Sequence, residues 1–149
     1  MKKNVVFGLL IIALSILVFA GCGSAPAPKP EPAPAPAPVA EQPKGLILDG
    51  AANYTVARGD TLADIAAGRY GESNMYYFPL IRLANANVVT DPDVIEPGTS
   101  LIIPDLQRNL NSDGAKALIK TDMQAIADQY ERQSKPNAAA RLRNLAGRL

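Results

Sequence analysis

Histidine and tryptophan are absent from this chain, cysteine occurs once, and the aromatics amount to three Phe and five Tyr. Without an imidazole, neither a Ser-His-Asp triad nor a Cys-His pair can be built. A closed Cys/His zinc site is excluded too, because Cys22 is the sole ligand of that class. No metal site and no cofactor is expected, and any enzymology would have to rest on carboxylates, Ser, Thr, Tyr or Lys alone. A dominant charge sign is also missing, with 15 Lys and Arg against 14 Asp and Glu. A chain with no clustered basic face and few aromatics for base stacking lacks the footprint of a nucleic-acid binder.

What is present begins with Lys2 and Lys3 ahead of an apolar run over 5–20, broken only by Gly8 and Ser15. This order of charge then hydrophobe is that of a secretory signal. As a helix the run reaches about 24 Å, at ~1.5 Å per residue, short of the ~30 Å hydrocarbon core, which favours a cleaved signal over a permanent span. Phe19, Ala20, Gly21 and Cys22 follow. They resemble the lipobox of bacterial lipoproteins, with Phe19 standing where Leu is usual. That resemblance implies a signal peptide over 1–21, cleavage before Cys22, and acylation of its thiol, palmitate included. One acyl chain holds a membrane only marginally whereas several hold it firmly. Gly23 after the cysteine resembles the pattern that allows transfer to the periplasmic face of an outer membrane, where the organism has one.

Residues 22–50 read as the lipidated cysteine and a spacer. Prolines at 26, 28, 30, 32, 34, 36, 38 and 43 alternate mostly with Ala. Alternate prolines forbid both a helix and a hydrogen-bonded ladder, leaving extended polyproline II. At ~3.1 Å per residue the stretch 23–44 reaches roughly 70 Å. Leu46, Ile47 and Leu48 form a short apolar lead-in expected to pack on the domain after it.

The stretch 51–104 is mildly acidic, with three Arg against six Asp and Glu. Tyr54, Thr55 and Val56 form a β-type run ending at Arg58, Gly59 and Asp60; Leu62, Ile65 and Ala66 then recur at helical spacing. Asp60 or Thr61 is a fitting N-cap, and Thr61 with Asp64 approximates a capping box. A second helix is predicted over 77–86, with Pro79 in its first turn and Asn85 and Asn87 at its close. Asp91, Pro92, Asp93, Val94, Ile95, Glu96, Pro97 and Gly98 are turn chemistry, with Pro97-Gly98 the centre of a type II turn. Leu101, Ile102 and Ile103 make a last strand, stopped by Pro104.

These residues carry a resemblance. The segments YTVARGDTLADIAAGRYG, FPLIRLANANV and DPDVIEPGTSLIIP resemble the opening, middle and close of a LysM domain. Phe78 stands where longer members often have Trp, and the insert 72–77 makes this a long variant. The resemblance implies a βααβ fold and a shallow groove for N-acetylglucosamine between the loop after the first strand and the loop before the last. Carried over by motif, one wall is Gly59, Asp60 and Thr61, and the other Asp93, Val94, Ile95, Glu96, Pro97 and Gly98. Backbone amides would pair with the acetamido group, and a small apolar shelf would meet its methyl; such a site binds with ~4 to 8 kcal/mol, millimolar to micromolar.

The remainder, 105–149, is mildly basic, with eight Lys and Arg against five acids. Ile119, Met123, Ile126 and Tyr130 form one apolar stripe and Leu142, Leu145 and Leu149 another, separated by Lys135, Pro136 and Asn137. An αα-hairpin is expected, docked on the module or presented to an envelope protein partner. The expected molecule is α+β: signal peptide, spacer, βααβ module and helical hairpin tail. The expected function is non-catalytic tethering of a membrane to peptidoglycan or another N-acetylglucosamine polymer. The alternative is an adaptor acting through 105–149. Lysis of wall glycan would need two carboxylates flanking the sugar bond, and Asp60 and Glu96 are the pair at hand.

Overall fold

The computed structural model describes residues 44–149; the signal peptide, Cys22 and nearly all of the spacer lie outside the described residues. Strand β1 (Ala52–Thr55) leads to helix α1 (Leu62–Tyr70), a 3₁₀ segment (Glu72–Tyr77), helix α2 (Phe78–Ala84) and strand β2 (Ser100–Ile103). Helices α3 (Leu106–Leu110), α4 (Asp113–Arg132) and α5 (Pro136–Ala146) complete the order. The α+β class and the βααβ order are as expected, and α4 with α5 is the hairpin. Helix α3 is additional. It forms because Asp105 accepts the Arg108 backbone N–H at 2.8 Å, an N-cap placed directly after the strand-ending Pro104.

The two strands pair antiparallel, Ala52 opposite Ile103 and Thr55 opposite Ser100. The ladder continues past β1, where Val56 N–H donates to Thr99 O and Gly98 N–H donates to Val56 O. The strand expected over 54–56 thus begins two residues earlier. The second helix is shorter than the expected 77–86, since Tyr77 belongs to the 3₁₀ segment and Asn85 already leaves helical geometry at φ −125°. Asn85 does more than end a helix. Its buried amide donates to Ile81 O and Ile102 O, both at 2.7 Å, and accepts Ile102 N–H at 2.8 Å, fastening α2 to the free edge of β2.

A two-stranded ribbon is marginal by itself. Here Leu101 and Ile103 join a core with Val56, Leu62, Ile65, Phe78, Leu80 and Ile81. The same cluster takes in Ile119, Met123, Ile126 and Leu142 from α4 and α5. The module and the helical tail therefore share one interior, and each large aliphatic side chain so buried contributes about 1.5–3 kcal/mol. Polar ties reinforce the join. Arg82 on α2 makes a two-pronged ion pair with the buried Asp122 on α4. The lead-in packs as expected, but on α3: buried Asn109 accepts Ile47 N–H and returns a bond to Ile47 O, both at 2.9 Å. Among the described residues, no helix is long and apolar enough to cross a membrane.

Candidate functional site

The first candidate wall is the turn after β1. Asp60 N–H donates to Ala57 O at 3.2 Å, which puts Gly59 at the turn's third position with φ +94°, the left-handed region that favours glycine. Asp60 Oδ2 accepts the Ala57 N–H and the Tyr54 hydroxyl, each at 2.7 Å. The Tyr54 hydrogen bond, then the Ala57 amide, hold the Asp60 carboxyl below its usual range. Thr61 caps α1: its Oγ1 accepts Asp64 N–H at 3.1 Å and donates to Asp64 Oδ2 at 2.7 Å. Both side chains are thus engaged in shaping the turn and starting the helix. What this wall leaves for a ligand is mainly backbone and the bare face of Gly59, where nothing stands within 4 Å of the position a Cβ would take.

The second wall is the segment before β2. Thr99 N–H donates to Glu96 O at 3.1 Å and Gly98 has φ +88°, so Glu96, Pro97, Gly98 and Thr99 form the type II turn that Pro-Gly predicts. Gly98 also faces open space. The residues of this wall differ in what they offer. Val94 is 62% exposed, Ile95 is partly buried against the core, and Glu96 and Pro97 are exposed. Asp93 points elsewhere. Its Oδ1 accepts the Tyr130 hydroxyl at 2.7 Å and its Oδ2 receives Lys135 Nζ at 2.6 Å. Both oxygens of this candidate glycan contact are therefore held by the helical tail.

The two turns adjoin through the Val56, Gly98 and Thr99 backbone bonds. An open hollow of ≈ 360 Å³ lies on the second wall, lined by Val88, Val89, Thr90, Val94, Ile95, Glu96 and Thr99. Gly59, Asp60 and Thr61 do not line it; Asp60 borders a separate hollow of ≈ 230 Å³ with Tyr54, Asp64, Ile65, Gly68 and Arg69. Sequence reasoning missed Val88, Val89 and Thr90. Their signal was an apolar pair directly after the helix-ending asparagines, and Val88 at 48% exposure joins Val94 as an exposed large hydrophobic beside that hollow. The buried Val89 forms its floor. An apolar shelf rimmed by Thr90, Glu96 and Thr99 suits a ligand with a methyl or ring face and neighbouring hydrogen-bonding groups.

Two esterases of Mycobacterium tuberculosis, one from strain CDC 1551 / Oshkosh and one from strain ATCC 25618 / H37Rv, are each 38% identical to this chain over 63 residues. That stretch is 42% of this chain and 13% of either esterase, so the chain spans a small part of these relatives. No solved structure matches the chain. The LysM domain model matches residues 54–104, a span that runs from within β1 to just past β2 and takes in both joined turns. Residues 54–104 are a LysM domain, a module whose general role is to bind peptidoglycan and other N-acetylglucosamine glycans.

Proposed function

We propose that the chain is an exported bacterial lipoprotein that holds its LysM domain on peptidoglycan while acyl groups on Cys22 hold the membrane. The observation that carries the glycan half is the family match over 54–104 joined to the paired turns at Val56 and Gly98. The membrane half rests on sequence: the charge-then-apolar leader, the lipobox-like residues ending at Cys22, and a Pro/Ala spacer long enough to lift the module off a lipid surface. The binding surface in this reading is the Val88, Val94 and Ile95 shelf with the backbone of Gly59, Glu96 and Gly98.

The role is non-catalytic. A glycan hydrolase needs two carboxyls flanking one sugar bond, whereas Asp60 and Glu96 border separate hollows. The relatives' name brings no ester hydrolysis to this chain, because the shared stretch is module-sized. Against an adaptor tail stands the burial of Ile119, Met123 and Leu142 in the shared interior, which removes the apolar face a protein partner would need.

The test is co-sedimentation of the purified chain with insoluble peptidoglycan. Wild type should pellet, and Gly98→Leu should stay in the supernatant while its circular dichroism remains folded. A wild-type chain left in the supernatant overturns the glycan half. In cells, Cys22→Ala should shift the protein out of the membrane fraction; unchanged partition and acyl labelling would overturn the lipid half.

A further inference from the structure

We infer that the elbow between α4 and α5 sets the shape of the 91–98 loop and thereby the affinity for glycan, with Tyr130 and Lys135 as positioning residues; the inference rests on the glycan-binding reading above. The loop has little to hold it from within: an Asx turn in which Asp91 Oδ1 accepts Asp93 N–H at 2.9 Å, and Val94 N–H on Asp91 O at 3.1 Å. Pro92 is buried, Ile95 packs on the core and Gly98 N–H ties the far end to Val56 O, while the side-chain hydrogen bonds on Asp91 and Asp93 from outside the loop come from the tail. Tyr130 and Lys135 take one oxygen each of Asp93, and Gln129 donates to Asp91 Oδ2 at 3.1 Å. With both Asp93 oxygens turned toward the tail, the next residue, Val94, projects outward onto the shelf.

The elbow is built for this approach. Among the described residues Ser134 alone has a left-handed φ without being glycine, at +60°, a conformation that side chains rarely adopt. It folds the chain back so that Lys135 N–H donates to Tyr130 O at 2.8 Å and Lys135 Nζ lies 5.0 Å over the Tyr130 ring. Pro136, the first residue of α5, fixes the exit. The backbone reversal at Ser134 thus brings the Lys135 ammonium to the carboxylate that the Tyr130 phenol already meets from α4. Ordering the loop before the sugar arrives raises apparent affinity by the fraction of molecules already competent.

The experiment is titration of the purified full-length chain with N-acetylglucosamine pentamer, alongside amide hydrogen exchange. Tyr130→Phe and Lys135→Met should each weaken binding about threefold and the double variant about tenfold, as a competent loop population falling to a third and a tenth would give. Exchange at Asp93 and Val94, whose N–H groups bond to Asp91, should quicken in step. Lys135→Arg, which keeps the charge, should restore wild-type affinity. Ile119→Val lowers stability through the shared interior, nearer the start of α4, and should leave affinity unchanged. Unaltered affinity in the double variant, or equal loss in Ile119→Val, overturns the positioning role while leaving the glycan reading intact. A wild-type chain that ignores the pentamer overturns the glycan reading and the tuning with it. Unaltered exchange in the double variant overturns the clamp whatever the sugar does.

Discussion

Asp60 receives a phenol and an amide on one oxygen, and this fixes how the first turn should respond to acid. The carboxyl is depressed in the folded chain. Its stabilising effect is therefore complete above the ordinary carboxylate range near ~4 and is lost as pH falls through the lower folded value. Tyr54→Phe removes the larger cause, so a carboxyl-carbon NMR titration of that variant should find the Asp60 midpoint raised; a midpoint unmoved from wild type would contradict the geometry. Asn85 gives a second residue-level expectation. Asn85→Ala strands Ile102 N–H and two carbonyls at a buried join, which should cost about 2–4 kcal/mol, read as a lower urea midpoint with an unchanged slope. The sequence marked Asn85 only as a helix end, because its partner Ile102 is 17 positions away and nothing local announces the pair.

At the level of elements, periodicity was an accurate guide for α1 and α4, less so for α5, where Ala139, Leu142 and Ala146 are buried while Leu145 is half-buried and Leu149 lies past the helix end. Leu62, Ile65 and Ala66, and later Ile119, Met123, Ile126 and Tyr130, are all buried as their spacing implies. Boundaries and short pieces were less legible. The 3₁₀ segment has no apolar period of its own, and α3 is a five-residue helix whose Asp105 cap lies in the shadow of Pro104. The candidate site was half readable. Its turns announce themselves through Gly59 and Pro97-Gly98, whereas the holding of Asp93 depends on residues 37 and 42 positions away. Contact between α2 and α4 yields a prediction of its own. Arg82→Ala leaves Asp122 buried without its partner and should destabilise by about 3 kcal/mol, while Arg82→Met with Asp122→Leu should lie within about 1 kcal/mol of wild type. Denaturant melts of the two variants separate the outcomes, and equal losses in both would show that the charged pair itself, and not only the cost of orphaning Asp122, stabilises the join.

For the molecule as a whole, the decisive property is that 51–104 and 105–149, distinct in charge and pattern, close around one interior. A shared interior implies a single cooperative transition. Slowly exchanging amides of α1 and α5 should report the same opening free energy; a tail that exchanges at markedly lower free energy than the module would contradict this. The hairpin's stripes were readable from their spacing, but what they close on was not: α4 and α5 pack on each other, α4 also on α2, and α5 on the 3₁₀ segment.

The Asn109 clasp on Ile47 has a mechanical corollary. A pull arriving along the chain from before residue 44 loads Ile47 and α3 before it reaches Ala52. Arg108 Nη1 on Asp49 O, at 3.1 Å, shares that load. A two-stranded ribbon tugged at its first residue would unzip one rung at a time, and here the force is diverted into a helix instead, so the rungs beside the sugar-facing turns are shielded from tension.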